Sequence, residues 1–326
     1  MHQIALIGAG RIGRIHAANA AAHPALTLSH VVDPVADAAQ AIAGQTGAEV
    51  ATLDAVLADP DVAGVIVASS TDSHLDHCLA AQAAGKAIFC EKPLDLDLAR
   101  ARAAGGELAG APLFLGFNRR FDPDFQALKA RLDAGAVGGL ETLQITSNDP
   151  GPPPVAYVKV SGGLFKDMAI HDFDMARWLL GEEPAEVFAW GSCLVDPAIG
   201  AAGDVDTART VLKTASGRLC VIANSRRSGF GYDQRIEAYG SAGMVRAGNR
   251  LESRVQLWGE DGARADRFQT FFLDRYADAY RAEMAHFAEV VAGRAKPSVG
   301  YADGVAALAL AEAAAESVRT GRPVRL

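Results

Sequence analysis

The sequence predicts an α/β fold: an N-terminal Rossmann domain with a doubly wound parallel sheet, then an α+β domain with an open, mostly antiparallel sheet. Three observations predict it. Short apolar runs alternate with helix-like stretches through the first third of the chain. A glycine-rich turn follows the first of those runs. Past residue 118 the strand-like runs succeed one another with few helices between them.

The elements follow in order. Ile4–Ile7 is an apolar strand, and Ile12–Ala22 is an Ala-rich helix. Leu28–Val32 is a second strand ending at Asp33, and Ala36–Thr46 a helix. Val62–Ala68, Ala87–Cys90 and Leu113–Phe117 read as further strands, separated by helices over Asp72–Ala84 and Leu96–Leu108. Apolar strands with helices between them imply a parallel sheet covered on both faces. The dinucleotide-type domain is assigned to residues 1–118 and the second domain to 119–326, with the last helices free to pack back on the first. In the second, Leu140–Thr146 is a strand, Asp149-Pro-Gly-Pro-Pro-Pro a rigid loop, and Gly163–Leu180 a helix stopped by Gly181. Glu186–Leu194, Thr207–Thr214, Arg218–Ser225, Gln234–Tyr239 and Arg254–Leu257 are then strands of an open sheet, closed by helices over Tyr276–Ala292 and Tyr301–Thr320.

Composition bounds the function. The chain has 326 residues, half of them apolar, enough for two cored domains. A net charge of −8 argues against a nucleic-acid face. No apolar run reaches the roughly 18 residues of a membrane span. The N-terminus opens into a strand-like run, Gln3–Ile7, without the features of a signal peptide. Cys78, Cys90, Cys193 and Cys220 lack paired spacing and read as thiols of a reducing compartment. The expectation is a cytoplasmic enzyme with no nucleic-acid, membrane or metal partner.

Gly8-Ala9-Gly10-Arg11-Ile12-Gly13 matches G-x-G-x-x-G between a strand and a helix, the context that makes it a dinucleotide signature. The first glycine allows the turn, the second lets backbone approach a pyrophosphate, and the third lets helix and strand pack. The helix N-terminus adds partial positive charge for phosphates. Asp33 ends the second strand, where a carboxylate accepts hydrogen bonds from ribose hydroxyls and repels the 2′-phosphate of NADP. NAD is therefore the expected cofactor. Ser69, Ser70, Thr71 and His74 follow the Val62–Ala68 strand at its carboxyl end, where α/β sheets bind ligands. The alternative for that segment is helix capping by Thr71 or Asp72.

Glu91-Lys92-Pro93 follows the next strand at the same end. A lysine there can hydrogen-bond a reacting oxygen and move protons. Farther on, Asp167, His171 and Asp174 fall at i, i+4 and i+7 of the expected helix, one polar stripe beside Leu164, Met168 and Met175. His171 can take a hydroxyl proton as hydride leaves the same carbon, since imidazole titrates near neutrality. A neighbouring carboxylate can orient it. His16, His23 and His286 read as structural or solvated.

Taken together, Gly8-Ala9-Gly10-Arg11-Ile12-Gly13, Glu91-Lys92-Pro93 and Asp167-x-x-x-His171 resemble the glucose–fructose oxidoreductase/inositol dehydrogenase/rhizopine-catabolism family, in particular its inositol 2-dehydrogenase branch. Gly116-Phe117-Asn118-Arg119-Arg120-Phe121-Asp122, Ser161-Gly162-Gly163-Leu164-Phe165 and Gly231-Tyr232-Asp233-Gln234-Arg235 support the resemblance. It implies NAD-dependent oxidation of a ring hydroxyl of a cyclic polyol or sugar. It implies Lys92, Asp167 and His171 as the catalytic set and Arg119, Asp149, Asp174 and Tyr232 as substrate contacts. Glu91 would lie beside the nicotinamide ribose, and the second sheet would pair between subunits in a homo-oligomer, a dimer or tetramer. One position departs from the pattern: Asn148 stands where Arg often precedes the Asp-Pro of the loop. A neutral amide there changes charge and hydrogen-bond geometry, which admits a related hexose, an anhydrosugar or another inositol isomer as substrate.

Overall fold

The computed structural model describes residues 1–326, which divide into two compact units: Met1–Phe121 with Ala279–Leu308, and Asp122–Asp278 with Ala309–Leu326.

The first unit holds six parallel strands: β1 (His2–Ile7), β2 (Leu26–Val32), β3 (Glu49–Val50), β4 (Val62–Val67), β5 (Ala87–Cys90) and β6 (Leu113–Leu115), in the order β3-β2-β1-β4-β5-β6. This is the order of a dinucleotide-binding sheet, with its reversal between β1 and β4. Every residue of β5 and β6 is buried, as strands covered on both faces must be. Helix α1 (Arg11–Ala22) buries Gly13, His16, Ala17 and Ala20, and helix α2 (His74–Ala83) follows β4. The late segment Ala279–Leu308 belongs to this unit because its apolar residues complete the sheet's cover. Tyr280, Met284, Phe287 and Ala288 are buried, and the Phe287 ring lies 5.6 Å from that of Phe89.

The second unit is built on seven strands: β7 (Leu140–Asn148), β8 (Pro184–Ser192), β9 (Thr207–Thr214), β10 (Leu219–Ser225), β11 (Asp233–Gly240), β12 (Gly243–Ala247) and a late strand, Val324–Arg325. The order is β12-β11-β7-β10-β9-β8 and then the late strand. All neighbours are antiparallel except β7 and β10. Alternation is regular: β9 buries Ala208, Thr210, Leu212 and Thr214 and turns Arg209 and Lys213 outward.

Two expectations need correction here. Gly163–Leu180 is not one helix. Helix α3 (Val155–Ser161) comes first, a π-helical turn occupies Leu164–Ala169, and helix α4 (Ile170–Leu180) completes the run. The break is at Gly162 and Gly163, with φ of 84° and 76°. A side chain on Gly163 would lie 2.6 Å from the Asp204 carboxylate, which instead accepts the Leu164 N–H at 3.0 Å and starts the new segment. The final stop at Gly181 is as expected, with φ of 64°. Arg254–Leu257 does not join the large sheet. Residues Gln256–Gly259 pair with Gly262–Ala265 as a separate exposed hairpin. In the first case the distant Asp204 decides where the segment starts; in the second, the strand pairs with its immediate neighbour in sequence instead of with the large sheet.

Candidate active site

In the first unit the cofactor elements meet at the carboxyl ends of β1, β2, β4 and β5. Gly8 has φ of +104°, and a side chain there would stand 2.4 Å from the backbone of Ala68 and Ser69. A side chain on Gly13 would stand 2.0 Å from the Gly8 carbonyl oxygen. The protein's own packing thus demands these two glycines. Gly10 is different: a side chain on it would meet nothing within 4 Å. That leaves open space above the backbone at the start of α1. Gly10 offers no side-chain cap, and the first turn, opened by Arg11 and Ile12, carries no acidic residue. The helix N–H groups there suit a phosphate. Asp33 is locked to the same turn, its two oxygens accepting the Ala9 N–H at 2.6 Å and the Val35 N–H at 2.7 Å. This cradle fits a dinucleotide whose ribose meets the Asp33 carboxylate.

After β4, Thr71–Ser73 form a single 3-10 turn before α2. Neither Thr71 nor Asp72 is the cap. Ser70 and Ser73 hold the cap positions, without side-chain bonds to backbone N–H groups. Ser69 Oγ sits 2.8 Å from Ser73 Oγ and 3.2 Å from His77 Nδ1. Burial, then the nearby His74, pulls the His77 pKa down. His74 is itself buried, with Nδ1 2.8 Å from the Pro93 carbonyl and Nε2 3.2 Å from the Ser69 carbonyl. The ring therefore braces the loop after β4 against the loop after β5.

Glu91 and Lys92 follow β5, and the Lys92–Pro93 peptide is cis. Glu91 is buried. Its Oε1 lies 2.7 Å from His16 Nε2, and its Oε2 accepts the Lys92 N–H at 3.2 Å. Burial alone would raise the Glu91 pKa. The hydrogen bond from His16, helped by the positive charge of Lys92, outweighs it and holds the carboxyl below its ordinary value. Arg119 is buried in the turn Asn118–Phe121 that follows β6.

In the second unit the register brings Asn148, at the end of β7, beside Ser225 of β10 and Asp233 of β11. Residues just past these strand ends therefore gather. Arg226 is the centre of the group. It is buried, and its guanidinium reaches Asp149 Oδ2 at 3.2 Å and Asp167 Oδ2 at 2.9 Å. Asp167 Oδ1 accepts the Tyr157 hydroxyl at 3.0 Å. Burial would lower the Arg226 pKa, but Asp167 and Asp149 outweigh it and raise it, so the cation is permanent. Asp167 lies on the π-helical turn and half-buried His171 on the first turn of α4. The α-helical spacing expected for Asp167, His171 and Asp174 is interrupted by the π-helical turn that carries Asp167. Asp174 is buried on α4, 3.8 Å from the Arg177 guanidinium. Tyr232 is buried just before β11, edge-on to Tyr276 at 6.0 Å. Asn148 donates to Asp233 at 3.2 Å, so its amide is engaged with the neighbouring strand.

Sequence reasoning missed Arg226 and Tyr157. Arg226 follows an apolar strand as one of two arginines, which alone reads as a solvated end. Only the parallel pairing of β10 with β7 shows that it faces Asp149. Tyr157 lies on a helix hidden behind the proline-rich loop.

Comparison with known proteins adds to this geometry. Residues 2–111 match the oxidoreductase family described as an NAD-binding Rossmann fold, and residues 125–246 match the GFO/IDH/MocA C-terminal domain. An inositol 2-dehydrogenase of Rhizobium meliloti is 47% identical over 323 residues, 98% of each chain. A myo-inositol dehydrogenase structure from Corynebacterium glutamicum is 43% identical with a TM-score of 0.96, covering 100% of this chain and 99% of that one. A scyllo-inositol dehydrogenase from Lactobacillus casei, solved with NAD(H) and scyllo-inositol, is 27% identical with a TM-score of 0.92, covering 100% and 99%.

Proposed function

This chain belongs to the GFO/IDH/MocA oxidoreductase family, with its NAD-binding Rossmann fold, and from that premise we propose that it is an inositol 2-dehydrogenase. It oxidises one secondary ring hydroxyl of myo- or scyllo-inositol to a ketone. The observation that carries the reading is the buried Arg226 joining Asp149, just past the end of β7, to Asp167 on the π-helical turn, four residues before His171. Two fixed carboxylates accept hydrogen bonds from neighbouring ring hydroxyls, which is what a polyol offers. The guanidinium holds both in place by charge-assisted hydrogen bonds.

The chemistry follows from residue types. Bound NAD supplies the hydride acceptor. His171 takes the hydroxyl proton as the bond to the ring hydrogen breaks, and Asp167 orients the substrate beside it. Lys92 donates a hydrogen bond to the same oxygen and passes protons on. Arg119, Asp174 and Tyr232 complete the substrate contacts, while Ser69, Ser70, Thr71, His74 and Glu91 line the cofactor's path. The same reading makes the protein a cytoplasmic homo-oligomer, a dimer or tetramer through the open face of the second sheet. Asn148 supports a second substrate reading, a hexose, anhydrosugar or further inositol isomer, because the amide is turned to Asp233 where the branch often has a cation.

The test is NADH production across a panel of inositols, hexoses and anhydrosugars, with NADP as the competing cofactor. An inositol should give the highest kcat/KM, with NAD preferred. His171→Ala should lower kcat by about 100-fold or more and leave NAD affinity nearly unchanged. A protein that binds NAD and polyols yet never forms NADH would instead be a sensor. Equal loss of turnover and cofactor affinity in the variant would remove His171 as the base.

A further inference from the structure

Beneath the Glu91-Lys92-Pro93 turn lies a group of buried ionisable side chains that the proposed chemistry does not use. His16, on α1, is fully buried, with its ring 4.6 Å from Phe89 and 5.9 Å from Tyr280. Its Nε2 is bonded to Glu91, while its Nδ1 has no hydrogen-bond partner. Facing Nδ1 at 4.0 Å is Oε1 of Glu283, which is also fully buried, and neither Glu283 oxygen has a partner. Helix α5 (Ala277–Val291) carries Glu283. The remaining titratable groups acting on Glu91 or Glu283 are Lys92, His74 and Cys90.

An ionised Glu91 fixes the proton on Nε2 of His16, because a bare nitrogen cannot sit 2.7 Å from a carboxylate oxygen. Nδ1 of a neutral ring is then an acceptor. The group opposite it must be a donor or leave two buried polar sites unmatched. A protonated Glu283, its oxygen 4.0 Å from Nδ1, places a neutral group with a proton to donate opposite that nitrogen. Burial, reinforced by the negative charge of Glu91, raises the Glu283 pKa well above its ordinary value. The alternative, an imidazolium between two carboxylates, buries three charges in place of one.

We propose that Glu283 and His16 are positioning residues for the Glu91-Lys92-Pro93 turn. The neutral carboxyl of Glu283 keeps the His16 proton on Nε2, and that N–H holds the Glu91 carboxylate against the Lys92 backbone. The inference rests on Lys92 being the group that meets the reacting oxygen. It adds that the lysine's place is set from two helices behind the sheet.

The experiment has two arms. Infrared difference spectra between wild type and Glu283→Gln at neutral pH, with no polyol present, should show the carbonyl stretch of a buried protonated carboxyl in the wild type alone. The second arm is the pH profile of kcat/KM in His16→Phe and His16→Gln. Without an Nε2 donor the buried Glu91 takes up a proton more easily, so in His16→Phe the acid limb should move up by about one pH unit. In the same variant kcat should fall about tenfold with the polyol KM little changed. His16→Gln keeps an N–H donor and should restore most of both. Glu283→Leu should shift the acid limb as His16→Phe does, and Glu283→Gln should rescue it. Absence of the carbonyl band overturns the proposal. So do equal losses in Phe and Gln variants with an unmoved acid limb, which would mean damage to packing only. Were no polyol oxidised, the infrared arm and the pH profile of NADH binding would still decide it.

Discussion

At the scale of single residues, the three glycines of the cofactor turn do different work, and substitution separates them. A methyl on Gly13 collides with the Gly8 carbonyl at 2.0 Å, so the turn and α1 must part. Gly13→Ala should lower Tm and abolish NAD binding together. A methyl on Gly10 touches no protein atom. Gly10→Ala should leave Tm unchanged and raise the NAD Kd about tenfold or more, about 1.4 kcal/mol, by crowding the phosphates. Thermal unfolding and cofactor titration on the two variants check this, and a Gly10→Ala protein that binds NAD normally would refute it. Arg226 gives a second case. Its fork serves Asp149 and Asp167 at once, and a lysine's single ammonium cannot. Arg226→Lys should lower kcat/KM for the polyol by about 10- to 100-fold, costing about 1.4 to 3 kcal/mol. NAD affinity should hold. Steady-state kinetics with separate cofactor titration reads both.

At the scale of elements, what the sequence made legible and what it hid divide by the range of the forces involved. Strand β5 was legible to the residue because Ala87-Ile88-Phe89-Cys90 is apolar throughout and bounded by Lys86 and Glu91. Tyr301–Thr320 was legible as a helix because alanine and leucine dominate it and it holds no proline. The cofactor turn was legible because Gly13 packs against the Gly8 carbonyl and Asp33 accepts the Ala9 N–H, all within one stretch of chain. The π-helical turn under Asp167 was not, since Asp204, far along the chain, sets where that segment starts. Nor was the β7–β10 pairing, whose register alone reveals Arg226. Asp206 is a similar long-range device. Buried at the mouth of β9, it accepts N–H bonds from Leu194, Val195 and Asp196 at 2.8 to 2.9 Å and the Thr207 hydroxyl at 2.9 Å. Burial would raise its pKa, but those bonds win and lower it to about 2. A carboxyl depressed in the folded state stabilises above its unfolded pKa of about 4 and loses that contribution as pH falls through the folded value. Asp206→Asn should therefore cost about 2 kcal/mol at pH 7. The gap to wild type should narrow as pH drops from about 5 toward 2. Denaturant unfolding across that range measures it, and a gap that stays constant would contradict it.

At the scale of the whole molecule, the outward face of the seven-stranded sheet is the surface that remains to be explained. Its inward face alternates strictly with it and is buried, yet Trp190 is 62% exposed, Met244 47%, Val221 40% and Tyr239 38%. They stand on β8, β12, β10 and β11, so the apolar side chains run across the sheet rather than gathering at one edge. Trp190 packs edge-on against Phe188 at 4.2 Å, a rigid aromatic pair with one side open to solvent. Charges accompany them: Arg209 and Lys213 on β9, Glu237 on β11 and Arg246 on β12. An apolar band rimmed by charges of both signs is what a subunit interface uses, and a stable pair buries roughly 800 Å² per partner. Isologous pairing lays such a face against its own copy. Sedimentation should therefore give a dimer or tetramer at micromolar concentration. Trp190→Glu with Val221→Glu places like charges against each other across the pair and should shift the protein to monomer, with NAD affinity intact because the cofactor turn lies in the other unit. A monomeric wild type, or a double variant of unchanged mass, would leave this face without the role argued for it.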